Sequence, residues 1–176
     1  MERRWPARSG IQGALERDAS AHDRNSPMAC GSRQLRQHVA AVHRIFHHEL
    51  ASRSDADAFI AARLKESLCA LARTARTVGL TTYCSLTLHV LEQLSSAVRT
   101  RYVPRDFQAL VFQWAHLSWL YLIAPTDPDH AANLVAHMGD RRWERPVCRL
   151  QRDQLLVSLR TETLLLANPA AATDGS

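Results

Sequence analysis

Leu68-Cys69-Ala70-Leu71-Ala72-Arg73-Thr74-Ala75-Arg76-Thr77-Val78-Gly79-Leu80 is the stretch whose reading decides the fold. Its apolar residues continue a row formed by Ile60, Leu64, Leu68, Leu71, Ala75 and Val78, spaced by three and four, the period of one helix face. Gly79 then stops that helix, because glycine enters the left-handed conformation without a Cβ clash. Thr81 or Thr82 offers a side-chain oxygen to cap a following helix that carries Cys84, Leu88, Leu91, Leu94 and Val98. Two amphipathic helices separated by so short a break form an antiparallel hairpin, the repeating unit of helical bundles.

Working outward, Leu35, Val39, Val42, Phe46 and Leu50 mark a helix over about 33–52, and Ser54 or Asp55 is placed to cap the first helix of the hairpin. Downstream, Pro104 is expected at the start of a fourth helix, with Asp106 in the first turn where the helix dipole favours a negative charge. This helix is apolar on nearly all faces, through Phe107, Leu110, Val111, Trp114, Leu117, Leu120 and Tyr121. Thr126-Asp127-Pro128-Asp129 opens a short helix that should stop at Gly139, and a last helix over about 148–167 carries Leu155, Leu156, Leu159 and a Leu164–Leu166 cluster. No segment alternates with strand period. The expectation is an all-α, antiparallel up-down bundle of five to six helices over 33–168. It is preceded by a disordered tail over 1–32, in which Met28 is an alternative start, and followed by a frayed C-terminus over 169–176.

The 176 residues, 46% of them hydrophobic, are enough for one domain with a buried core. The formal charge is +5, and Lys65 is the one lysine, so arginine supplies nearly all the positive charge. Those arginines alternate with Asp and Glu instead of forming a basic run, which makes nucleic-acid binding a secondary reading. Cys30, Cys69, Cys84 and Cys148 are widely spaced without a C-x-x-C pair and read as free thiols. No apolar segment follows Arg3, Arg4 and Arg8, and the apolar run from Leu117 to Ile123 is short and broken by Ser118. A cytoplasmic protein without membrane insertion is expected.

His43 and His47, one helical turn apart, are weak candidates for a metal site, but a third ligand is not evident from spacing. They share a face with Arg36 and Arg44, opposite the apolar stripe, and that face is expected to be solvated. His89, His116 and His137 lie in or beside apolar helices and read as core-edge residues. No nucleophile elbow, phosphate-cradling glycine loop or carboxylate pair is present, so neither enzymatic activity nor a cofactor is expected. Trp114, Trp119 and Tyr121, with Trp143 after Arg141-Arg142, predict an aromatic core. An exposed aromatic–arginine patch of the kind enriched in interface hot spots is the alternative.

At Ala75-Arg76-Thr77-Val78-Gly79-Leu80 the chain resembles histidine phosphotransfer (Hpt) domains, and more narrowly the degenerate Hpt-like modules of the FimL and ChpA N-terminal type. In that family the hairpin reads approximately H-T-L-K-G-S-A-R-x-x-G-L, followed by L-E. Leu71, Ala75, Arg76, Gly79, Leu80, Leu91 and Glu92 match. The cadence extends through Val103-Pro104-Arg105, Trp114, Tyr121-Leu122, Pro125 and Arg142-Trp143, so that the resemblance spans about 59–160. Aligned on Gly79, the phosphoacceptor histidine falls on Cys69, the lysine on Ala72 and the glycine on Arg73.

The resemblance implies a protein–protein interaction module of bacterial chemosensory or two-component signalling, linked to type IV pilus motility and unable to relay phosphate. Cysteine lacks the basic nitrogen that takes the phosphoryl group, and Arg73 stands where glycine lets a receiver approach. The implied docking residues are Lys65, Cys69, Arg73, Arg76 and Glu92, facing an acidic receiver-like partner. A redox role for Cys69 and a homodimer are further readings, as is a helical adaptor with its interface on the 104–123 helix.

Overall fold

In the computed structural model, residues 27–49, 57–99 and 105–167 are described, and they fold into helices joined by turns and loops, with no strand among them. In chain order the helices are α1 (Pro27–Glu49), α2 (Asp57–Thr77), α3 (Thr81–Arg99), α4 (Arg105–Ile123), α5 (Pro128–Met138) and α6 (Arg149–Ala167). The all-α bundle expected from helical periodicity is what forms. Helix α1 begins ahead of the expected boundary at 33, with Pro27 opening it, a position where the missing N–H and fixed φ fit. Residues 27–32 therefore belong to the bundle and not to a tail. The remainder of that tail, the caps at Ser54 or Asp55, Pro104, and the stretch from Pro169 lie outside the described residues.

The hairpin forms as read. Gly79 has a φ of 81°, and Gly79 N donates to Arg76 O (3.2 Å) and Leu80 N to Ala75 O (2.9 Å), closing the end of α2. Helix α1 passes close to this corner. A Cβ on Gly31 would stand 2.0 Å from Val78 Cγ1, so only glycine permits the two helices to approach there. The short helix α5 also follows its sequence signals: the Asp127 carboxylate accepts from Asp129 N (2.9 Å), Pro128 opens the helix, and Gly139 ends it.

The principal helix pairings close a ring, α1–α2–α3–α6–α5–α4 and back to α1. Every helix sends side chains inward, among them Leu35 and Val39 of α1, Leu68 and Leu71 of α2, and Val90 of α3. Trp114 of α4, Leu134 of α5 and Leu159 of α6 complete the set, and all of these are fully buried. Tyr83 of α3 and Tyr121 of α4 stack at 5.7 Å across the ring. Tyr121 Oη–H donates to Leu159 O (3.2 Å), which ties α6 to the same centre. Burial holds both phenols above their ordinary pKa. Trp114, Trp119, Tyr121 and Trp143 are all buried, so the aromatic residues form core and not an exposed patch. The 104–123 helix, read as a partner interface, likewise commits most of its apolar side chains to that core.

Each of two expected stripes has one member that faces outward. Leu88, assigned to the inner face of α3, is 48% exposed, while Cys84 and Leu94 are buried as expected and Tyr83, Leu86 and Val90 join them in the core. Leu164, assigned to the inner cluster of α6, is 67% exposed, whereas the other described members of that stripe hold their expected side, Leu159 fully buried and Leu155, Leu156 and Leu166 packed against the core. Helix α3 is covered by both α2 and α6, and Leu88 falls outside the arc that these two neighbours cover. Among the described residues, no helix is long and apolar enough to cross a membrane.

Candidate docking face on helix α2

The apolar side of α2, Leu64, Leu68, Leu71 and Ala75, is buried against α1 and α3. Helical periodicity then turns Lys65, Cys69, Arg73 and Arg76 to the opposite side. Lys65, Arg73 and Arg76 are exposed and Cys69 is half-buried, so the structure brings these four expected residues onto one face. Among the described residues none of the three cations makes an ion pair. Arg76 stands in the last turn of α2, where the carbonyl end of the helix favours a positive charge. The field of this face reaches α1: the pKa of His38 is lowered, first by burial and then by the charge of Arg73. All four cysteines of the chain are free thiols, Cys69 among them. This cationic, imidazole-free row suits the capture of an acidic surface.

Glu92, the fifth expected residue, is directed elsewhere. Its Oε1 accepts from Arg145 Nη1 (2.9 Å), on the loop that precedes α6. Both side chains are more than 60% exposed, so this pair adds little stability. The neighbouring Gln93 holds that loop, and sequence reasoning missed it. Gln93 is buried; its Oε1 accepts from Arg145 N (3.2 Å) and its Nε2 donates to Arg145 O (2.9 Å), a pairing like that between two peptide groups. His89 Nε2 lies 2.9 Å from the same carbonyl oxygen. The available signal was an uncharged amide standing between Leu91 and Leu94.

Between α3 and α6 lies a groove of about 580 Å³, with Thr81, Ser85, His89, Val147, Gln154 and Ser158 in its walls. By the N-terminus of α3, where Thr81 and Thr82 line the groove, Glu162 of α6 is buried. It accepts from Thr81 Oγ1 (3.2 Å), Thr82 N and Tyr83 N (3.1 Å). Helix α3 has no acidic residue in its own first turn, so this carboxylate from α6 caps it across the bundle.

The histidine pair is corrected. His43 is half-buried and packs edge-on against Phe112 (5.0 Å) and His116 (6.2 Å) of α4, in place of the solvated position expected for it. The α1–α4 contact is wider than the single apolar stripe, and so takes in the row that carries His43. The side chain of His47 lies outside those described. Among the described residues, no group of three or more His, Cys, Asp or Glu converges as a metal site requires.

His137 is buried, with Nε2 2.9 Å from Leu110 O, which assigns the proton to Nε2 and leaves Nδ1 bare. Burial lowers its pKa below the ordinary 6.5. His38 and His116 are shifted in the same direction, also chiefly by burial. As pH falls through 6.5, the unfolded chain therefore takes up protons before the folded one. Stability contributed by these groups is complete above that value and declines as pH falls toward the folded-state pKa. The urea midpoint should hold near about pH 7.5 and drop steadily toward about pH 5. His137→Gln, whose amide retains a donor for Leu110 O, should flatten part of that drop. A midpoint that rises on acidification would contradict the assignment.

The chain matches no protein-family profile, no curated protein and no solved structure.

Proposed function

We propose that this protein is a non-catalytic interaction module whose α2 face receives an acidic, receiver-like protein. In this reading it is a degenerate relative of Hpt domains that retains the docking hairpin and has lost the phosphoacceptor. The observation that carries the reading is the row of exposed cations Lys65, Arg73 and Arg76 around Cys69, none of them ion-paired among the described residues. A thiol at position 69 lacks the basic nitrogen needed to accept a phosphoryl group, and the side chain of Arg73 occupies space that glycine leaves open for a receiver. What remains is charge complementarity, which governs encounter rate and partner choice. Bacterial chemosensory or two-component signalling in the cytoplasm, with pilus-based motility as its output, is the setting this reading supplies.

The test is the double variant Arg73→Glu/Arg76→Glu. Both positions are exposed, so the variant should stay folded and lose no more than about 1–2 kcal/mol, the cost of placing a carboxylate where Arg76 stood in the last turn of α2. Capture of a receiver-containing or chemosensory protein from nuclease-treated extract of the native bacterium should fall about a hundredfold, since like charges now meet across the contact. Undiminished capture would sink the proposal. In a parallel capture from extract without nuclease, retention of nucleic acid in place of protein, weakening steeply with salt, would favour an arginine-rich nucleic-acid binder instead.

A further inference from the structure

Helix α6 carries a second surface, independent of the α2 face. Leu150, Val157 and Leu164 are 69%, 68% and 67% exposed, the highest values among the large apolar residues that face solvent. They are spaced by seven, and at 100° per residue they fall within an arc of about 40°, opposite the buried Leu159 and Glu162. A seven-residue apolar period on one side of a helix is the pattern that a second helix covers, because two helices in contact share a repeat close to 3.5 residues per turn. Single exposed leucines need no explanation; a straight row of three over two heptads does.

The charges beside this row select the occupant. Asp153 and Arg160, both exposed, flank the row on one side, and Gln154 and Thr161 flank it on the other. Neither Asp153 nor Arg160 has an ion-pair partner among the described residues. A two-fold axis passing near Val157, perpendicular to α6, lays the helix antiparallel on its copy and keeps each flank beside the same flank of the copy. Leu150 then meets Leu164 of the copy, Val157 meets its equivalent, and Asp153 comes level with Arg160 of the copy to within about one residue rise. A parallel pairing would place both charges beside Gln154 and Thr161, where they gain nothing.

We propose that α6 is a self-association surface: two copies of the chain pair antiparallel through Leu150, Val157 and Leu164, with Asp153 and Arg160 making two symmetry-related ion pairs. The contact is one helix face, about 28 Å long, so it belongs with the smaller, reversible interfaces. Dimer and monomer should exchange with protein concentration.

Sedimentation equilibrium of the full chain, over roughly 5–500 µM, tests this. The wild type should show a reversible monomer–dimer equilibrium, and Leu150→Gln/Val157→Gln should be monomeric throughout with unchanged thermal unfolding. Asp153→Arg and Arg160→Asp should each weaken the dimer about tenfold, and their combination should restore it. Orientation is read by oxidation in a Cys30→Ser/Cys148→Ser background, which removes the exposed native thiols. Val157→Cys should cross-link to itself, and Leu150→Cys should cross-link to Leu164→Cys but not to itself. A wild type that stays monomeric, a dimer that survives Leu150→Gln/Val157→Gln, a charge exchange that fails to restore pairing, or self-cross-linking at position 150 would each overturn the proposal.

Discussion

Glu162→Ala should destabilise the fold by about 3 kcal/mol, lowering the thermal midpoint by about 6–12 °C. The carboxylate receives Thr81 Oγ1, Thr82 N and Tyr83 N, and it is 5% exposed. Hydrogen bonds to a charged group contribute about 1.5–3 kcal/mol each, and a negative group at a helix N-terminus adds up to about 2 kcal/mol. Removing the carboxyl group from water opposes both effects, which keeps the net value below their sum. Alanine would leave the N–H of the buried Tyr83 without its acceptor and would detach α6 from the end of α3. Glu162→Gln retains one acceptor oxygen but turns an NH₂ toward donors, so it should lose about half as much. Chemical denaturation of the three proteins decides the matter. A loss below about 1 kcal/mol for alanine would show that this interhelical carboxylate contributes no more than an ordinary N-cap side chain.

Trp143→Ala should have the largest effect of any loop substitution, about 3–5 kcal/mol. Although Trp143 belongs to the connection between α5 and α6, it is 2% exposed. It meets Phe107 at 5.7 Å and His137 at 5.5 Å, both edge-on, and Nε1 donates to His137 O (2.9 Å). The indole therefore fills space between the loop and α4 and supplies the donor that the His137 carbonyl at the end of α5 needs. Trp143→Phe preserves most of the volume and gives up the hydrogen bond, with an expected loss of about 1–1.5 kcal/mol. Equal losses for the two variants would locate the effect in the hydrogen bond instead of the ring.

The cationic row on α2 was legible from sequence because Lys65, Cys69, Arg73 and Arg76 share one helix and one helical period sorts them from Leu64, Leu68, Leu71 and Ala75. Glu92 was not, because its partner Arg145 lies on a loop that is brought beside α3 by the closure of the ring through α4 and α5. Leu88 and Leu164 illustrate the same limit in the core. Their spacing marks an apolar row, but burial depends on which neighbour arrives and along which arc. His43 erred in the other direction, since a residue beside Arg36 and Arg44 reads as solvated until α4 is laid against it.

By itself, then, the sequence determined the helices, the glycine-terminated hairpin at Gly79, the Asp127–Pro128 start of α5 and the cationic face of α2. All of these rest on forces that act within about one turn of chain: steric limits on φ, capping oxygens and the 3.6-residue period. The tertiary structure alone decided that Glu162 would cap α3, that Gln93 would clasp Arg145, that Trp143 would be core, and that Leu150, Val157 and Leu164 would be left facing water. Each of those outcomes depends on which surfaces meet across the bundle, and burial and long-range hydrogen bonding are properties of that meeting and not of any one segment.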